Sequence, residues 1–241
     1  MPELDPAEIR VIVCDIFGTT VDWRTGVAEQ VADLAAAHGA RLDAGEFADA
    51  WRDRYLPAMQ RVNSGEREWA YLDTLHRESL DALLTDQGVA EKFDEPGRRE
   101  LVHTWHRLPA WPDSVPGLSR LRERYLTVAL SNGGVALLTS LVKAAGLPFD
   151  GIFSAQHARA YKPVAAPYHT VAELLDVAPG QMLMVAAHRW DIDGAHAAGL
   201  HTAFLERPRE KGPLRTADKT ADTTSDLSVT SFEELAGKLG C

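Results

Sequence analysis

The 241 residues predict an α/β protein built on a parallel sheet, interrupted after its first strand by a helical insert. Three observations carry this. Short β-rich apolar runs alternate with stretches of helical character, the order of βαβ units. The first of them, ending in Val-Ile-Val-Cys, is of the type found in strands covered on both faces. Between the first and second runs lie roughly 80 residues with helical periodicity alone, far more than a simple crossover needs.

The clearest strand is residues 10–14, Arg-Val-Ile-Val-Cys, ending at Asp15 before a Phe17-Gly18-Thr19-Thr20 turn. Similar runs at 126–130, 151–154, 182–186 and 202–205 predict four further strands, with a weaker one at 226–229. From 26 to 108, Val27, Val31, Leu34 and Ala35 recur at helical spacing. So do Phe47, Trp51 and Tyr55, and then Trp69, Leu72, Leu75, Leu80 and Leu83. Trp111-Pro112-Asp113-Ser114-Val115-Pro116-Gly117 marks the return to the sheet, its prolines stopping a helix and stiffening the link. Residues 206–228, rich in Thr, Asp, Lys and Pro, read as a surface loop.

Composition narrows the function. Hydrophobic residues at 45% and charged residues at 25% are the balance of a globular chain that buries a core. A formal charge of -10, with no Lys/Arg block, argues against nucleic acid or an anionic membrane as partner. Two cysteines, Cys14 and Cys241, make neither a disulfide framework nor a cysteine-rich zinc site, and Cys14 reads as a packing thiol. No apolar stretch reaches the ~20 residues of a membrane span. The acidic N-terminus lacks the basic and apolar regions of a signal peptide, so the expected location is the cytoplasm.

Ligands of parallel α/β sheets bind outside the carboxyl ends of the strands. Those positions hold an acid, Asp15; a small polar loop, Ser131-Asn132-Gly133-Gly134; a lone lysine, Lys162, in Tyr161-Lys162-Pro163; and His188-Arg189-Trp190-Asp191. Alone, Asp15 would be a turn or capping aspartate. Four such groups converging on one sheet edge favour chemistry. There is no Gly-x-Ser-x-Gly elbow, His-Glu-x-x-His, P-loop or Gly-x-Gly-x-x-Gly. His38, His76, His103 and His106 read as surface or interhelical groups.

The order Asp15-x-Phe17-Gly18-Thr19, Ser131-Asn132, Lys162-Pro163, Trp190-Asp191-x-x-Gly194-Ala195 resembles the haloacid dehalogenase superfamily, and within it the type II 2-haloacid dehalogenases. The resemblance implies a Rossmann-like core, residues 1–25 and 109–241, with a helical cap domain, 26–108, inserted after the first strand. Most members of the superfamily are magnesium-dependent phosphatases with a second Asp two residues after the nucleophile and an acidic pair in the last motif. Here those places hold Phe17 and Ala187. One carboxylate besides the nucleophile is a poor Mg²⁺ site. No metal and no cofactor are therefore expected, and a small-substrate phosphatase is the alternative.

The resemblance further implies an (S)-2-haloacid dehalogenase that converts haloacetates and 2-halopropionates to 2-hydroxy acids through an aspartyl ester; fluoroacetate is added as a substrate because His188 would tighten the halide pocket. Asp15 is then the nucleophile, with Lys162 as its cation, Thr19 as its hydroxyl partner and Asp191 orienting the lysine. Ser131 and Asn132 would hold the substrate carboxylate, and Phe17 and Trp190 would form apolar walls. Arg52 would take the halide, although spacing alone does not choose among Arg52, Arg54 and Arg61. Tyr168 would hydrogen-bond the lysine region, or be a core tyrosine. His188 stands where well-known members have Asn, and is read as a group that shrinks the halide pocket or binds the halide when protonated. The sequence leaves a homodimer open.

Overall fold

A computed structural model describes residues 4–241, so the start of the acidic N-terminus and of the expected core lie outside the described residues. Six parallel strands form one sheet in the order β3-β2-β1-β4-β5-β6. They are β1 (Val11–Cys14), β2 (Leu126–Ser131), β3 (Gly151–Ser154), β4 (Met182–Ala186), β5 (His201–Leu205) and β6 (Leu227–Val229). Each boundary lies within one residue of the sequence reading. The β-branched and long aliphatic residues that predicted the strands fit a pleated surface covered on both sides.

Side-chain alternation splits each strand between two apolar layers. Ile12, Cys14, Leu183 and Val185 face one cluster; Val11, Val13, Met182 and Met184 face the other. The first cluster runs on without a break into the insert, joining Phe17, Trp23, Phe47, Trp51 and Trp105. The sheet thus supports the insert through packed aromatic residues, and the insert is seated over the end of β1.

The insert is helical between β1 and β2: α1 (Trp23–Ala37), α2 (Ala44–Asp53), α3 (Tyr55–Asn63), α4 (Leu72–Asp86) and α5 (Glu95–His103). Asp22, Asp43 and Asp94 cap α1, α2 and α5 by accepting from backbone amides of the first turn. The periodic run Phe47, Trp51, Tyr55 is divided between α2 and α3, because Pro57 has no N–H to continue the first helix. The core helices are α6 (Ser114–Arg122), α7 (Val135–Ala144), α8 (Ala155–Ala158), α9 (Ala165–Leu174), α10 (Arg189–Ala197) and α11 (Phe232–Lys238). Among the described residues no helix is long and apolar enough to cross a membrane.

Residues 206–228 depart from the reading as a surface loop. Arg207 and Glu210 are buried. Arg207 makes a two-pronged ion pair with Asp113 and donates to the Thr19 carbonyl. Asp113, read as a mark of the chain's return, is therefore the brace that ties this loop to the turn after β1. Composition signalled loop chemistry correctly but could not show which polar residues find buried partners.

Candidate active site

The chain winds from β1 outward to β2 and β3, then returns to β4 on the other side of β1. A crevice opens at such a switch point, at the carboxyl ends of the strands. Asp15 stands there, 4% exposed. Its Oδ1 accepts from Lys162 Nζ at 3.0 Å, and its Oδ2 from Thr19 Oγ1 at 2.8 Å. The Thr19 oxygen itself accepts from the Ala187 amide, which leaves the hydroxyl hydrogen to point at the carboxylate.

Lys162 is fixed as firmly. Its ammonium donates to Asp15 Oδ1, to the Leu130 carbonyl and to Asp191 Oδ2, so all three hydrogens have acceptors. Tyr168 is wholly buried and donates to Asp191 Oδ1 at 2.6 Å, meeting the lysine region through the carboxylate that holds Lys162. Both carboxylate oxygens of Asp191 are thereby taken. Asn132 closes the other side: its Oδ1 accepts from the Lys162 amide at 2.8 Å. Its Nδ2 reaches the Lys162 carbonyl only at 3.4 Å, a weak bond that a better acceptor would displace. Ser131 is buried in the same loop and accepts from the Gly133 amide.

The insert contributes Arg52. Arg54 pairs with Asp86 and Arg61 with Glu66, whereas Arg52 has no ion-pair partner among the described residues. Its guanidinium carbon lies 4.1 Å from the Tyr55 ring centre, 5.2 Å from Trp23 and 5.9 Å from Phe17. One of its terminal nitrogens is buried without a hydrogen-bond acceptor among the described residues. A cation held against aromatic faces with an unspent donor is poised for an anion. The geometry thus separates the three arginines that spacing could not. Phe17 packs edge-on against Trp105, and Trp190 stacks on His188 with ring centres 5.4 Å apart.

Trp23, Arg52, Tyr55, His188, Trp190 and Glu210 line a cavity of about 200 Å³. That is below the roughly 300–1,000 Å³ of pockets for drug-sized ligands, and suits a very small substrate. Met59, on the neighbouring α3, is buried away from this lining. A larger groove of about 530 Å³ on the insert is lined by Arg54, Arg61, Arg67 and Glu78 and includes none of these groups.

The model of the family of haloacid dehalogenase-like hydrolases matches residues 9–199, which contain Asp15, Lys162 and Asp191. The chain belongs to the haloacid dehalogenase-like hydrolases. It is 33% identical over 208 residues to an (S)-2-haloacid dehalogenase of Pseudomonas sp. (strain CBS-3), covering 85% of this chain and 86% of that protein. Its fold matches the crystal structure of a defluorinating L-2-haloacid dehalogenase, with TM-score 0.93, 44% identity and coverage of 97% and 96%. It also matches the L-2-haloacid dehalogenase of Xanthobacter autotrophicus with chloropropionic acid covalently bound, with TM-score 0.79, 26% identity and coverage of 95% and 97%.

In this haloacid dehalogenase-like hydrolase, burial alone would push the Asp15 carboxyl up, but Lys162 and His188 together hold it well below the usual carboxylate range. The Asp15 carboxylate is thus ionised and nearly dry. Burial and the neighbouring Asp15 charge raise Asp191, against Lys162 and Tyr168. Cys14, adjacent in sequence, is raised by burial and is inert packing.

His188 takes a place the sequence only half described. It is buried, with Nδ1 3.4 Å from Asp15 Oδ2 and Nε2 3.1 Å from Glu210 Oε1. Glu210 also accepts from the Trp23 indole N–H at 2.7 Å. Sequence reasoning missed Glu210 because it lies in the stretch read as solvated loop. One local signal existed. Gly18 adopts φ +88°, and a Cβ there would lie 2.6 Å from Glu210 Oε1, so the turn glycine also makes room for this carboxylate.

Proposed function

We propose that this chain is a hydrolytic 2-haloacid dehalogenase with Asp15 as nucleophile. The observation that carries the reading is the state of Asp15: ionised, enclosed, bound by Lys162 and Thr19, and followed two residues later by Phe17 instead of a proton donor. One Asp15 oxygen attacks C2 of the substrate from behind, and the carbon–halogen bond breaks with its electron pair leaving as halide. Water then attacks the carbonyl carbon of the ester. The alkyl oxygen leaves with the substrate carbon, the Asp15 carboxylate is regenerated, and one proton is released per turnover. Because only the first step touches C2, the configuration there inverts once. An (S)-2-haloacid gives the (R)-2-hydroxy acid.

The other groups take roles from their positions. Arg52 and His188 Nδ1 are unspent donors beside the aromatic walls, where departing halide gathers charge. Ser131, Asn132 and the amides of their loop face the substrate carboxylate. Asp191 and Tyr168 hold Lys162 in place, and Phe17 and Trp190 bound the apolar side. Residues 26–108 serve as a cap that excludes water during displacement, over a core of 1–25 and 109–241. The reading places the enzyme in the cytoplasm. Light scattering on the purified protein distinguishes the homodimer from the monomer. The deciding assay is halide release from fluoro-, chloro- and bromoacetate and from both 2-chloropropionate enantiomers. Release from none of them would remove the proposal.

A phosphatase is disfavoured by the same geometry. The two carboxylates at hand, Asp15 and Asp191, are bridged by the Lys162 ammonium, which stands where a cation between them would. Among the described residues no group of three or more His, Cys, Asp or Glu is arranged to hold a metal. Dialysis against chelator is expected to leave halide release unchanged, and added Mg²⁺ to leave it unchanged again. Loss restored by Mg²⁺ would favour the phosphatase, which a chromogenic phosphate ester would then report.

Fluoroacetate is the demanding substrate. Fluoride is small and strongly hydrated, so its departure needs close, strong donors. His188 fills space beside Asp15 and, when charged, adds one. His188→Asn is expected to lose fluoride release by a larger factor than chloride release. Equal losses would mean that His188 has no halide-selective part.

A further inference from the structure

The halide role of His188 depends on which of its nitrogens carry hydrogen, and a second buried side chain decides that. Glu210 reaches Nε2 at 3.1 Å and is held from behind by the Trp23 indole N–H at 2.7 Å. It is 2% exposed, and the chain spends a left-handed glycine, Gly18, to accommodate it. A neutral imidazole has one N–H. With a carboxylate at Nε2, that hydrogen goes to Glu210, and Nδ1 turns a lone pair toward the Asp15 carboxylate, 3.4 Å away. Only the doubly protonated ring offers Nδ1–H to the nucleophile's side of the cavity. Among the described residues Nδ1 has no hydrogen-bond partner, so this donor is left unspent.

We propose that Glu210 is a positioning residue for halide release: it fixes His188 as a charged donor whose Nδ1–H faces Asp15 Oδ2 and the departing halide. The catalytic part of this proposal rests on the dehalogenase reading; the pairing does not. The groups facing His188 are Asp15 after β1, Glu210 after β5, Arg52 and Tyr55 from the insert, and Lys162 across the Trp190 ring. At the mouth, Lys211 is paired with Asp218 and Arg215 with Asp53. The two carboxylates nearest the ring outweigh its desolvation. Burial would lower the imidazole, but Glu210 and Asp15 push it up to about 9. Burial would raise Glu210, but His188, Arg52 and Trp23 bring it down to about 2.

The test is Glu210→Gln in the full chain, which keeps an acceptor for both Trp23 and Nε2 and removes the charge. Histidine ring ¹⁵N shifts, with His188→Asn for assignment, report the hydrogen on each nitrogen. In the wild type both nitrogens are expected to carry hydrogen at pH 7.5, with titration near 9. In Glu210→Gln the titration is expected to fall by at least about two units, a hundredfold change in the ratio of charged to neutral ring. The basic limb of kcat/KM for fluoroacetate is expected to move with it, so that at pH 8 fluoride release falls at least about tenfold, more than chloride release, and partly recovers at pH 6. A wild-type His188 with a single N–H at pH 7.5 overturns the proposal, whether or not the variant folds. So does an unmoved titration in Glu210→Gln, or an equal loss for both halides at every pH, which marks a merely structural contact. A folded wild type that releases no halide removes the dehalogenase reading and the catalytic part with it, while the ring titration still decides the pairing.

Discussion

Asp15→Asn is expected to lose halide release by at least ~10³ while keeping its fold. The amide is nearly isosteric but is not an oxyanion and cannot displace halide. Thr19 Oγ1 and the Lys162 ammonium donate to oxygens of Asp15, and one amide oxygen remains for them. The other site becomes an NH₂ group facing a donor, a local mismatch at the edge of the sheet, outside its apolar layers. Asp191 still neutralises Lys162, so circular dichroism should change little, while the buried donor left without an acceptor should lower stability by about 1–3 kcal/mol. Mass measurement must exclude slow hydrolysis of the amide back to Asp. Ordinary halide release from a folded, unreverted variant would eliminate covalent catalysis by this residue.

Lys162→Met is expected to cost both activity and stability. Its ammonium is wholly buried and satisfies Asp15, Asp191 and the Leu130 carbonyl at once. Methionine fills much of the space but leaves two buried carboxylates with no cation between them and only His188 on the far oxygen of Asp15. Removing one partner of a buried ion pair typically costs about 3–5 kcal/mol, because the remaining charge is uncompensated. The two carboxyls would respond by sharing a proton, which removes the nucleophile at neutral pH. Urea unfolding should show the loss, and it should shrink toward acid pH as the carboxyls protonate. A variant as stable as the wild type at pH 7 would mean that Lys162 neutralises less charge than its contacts imply.

The pair His188–Glu210 sets a different pH signature. His188 has a folded value raised from 6.5 to about 9, so its contribution to stability is complete below 6.5 and is lost as pH rises through 9. Glu210 is depressed from 4.5 to about 2, so its contribution is complete above 4.5 and is lost as pH falls through 2. Both contributions are complete together between 4.5 and 6.5. The Lys162 ammonium titrates above this window, since it is raised above its ordinary value.

The strands were legible in the sequence because a strand covered on both faces demands a continuous apolar run, a local requirement. Asp15, Ser131, Asn132, Lys162, His188 and Asp191 were legible for a related reason. Parallel connections bring all carboxyl ends of the strands to one edge, so residues just after each run are neighbours whatever their distance in sequence. The break between α2 and α3 was written in Pro57 but was masked by the apolar period that runs through it. Long-range pairing was not legible. Which of three arginines remains without a carboxylate, which partner Tyr168 takes, and which acid in a polar loop lies buried against His188 depend on distances across the fold. Electrostatic partners are chosen by proximity and desolvation in the packed molecule, and neither quantity has a period or a spacing along the chain. The sequence by itself therefore determined the sheet, the insert and the groups at the strand ends, while the tertiary structure decided that Arg52 has no ion-pair partner among the described residues and that Glu210, held by Trp23, faces the imidazole.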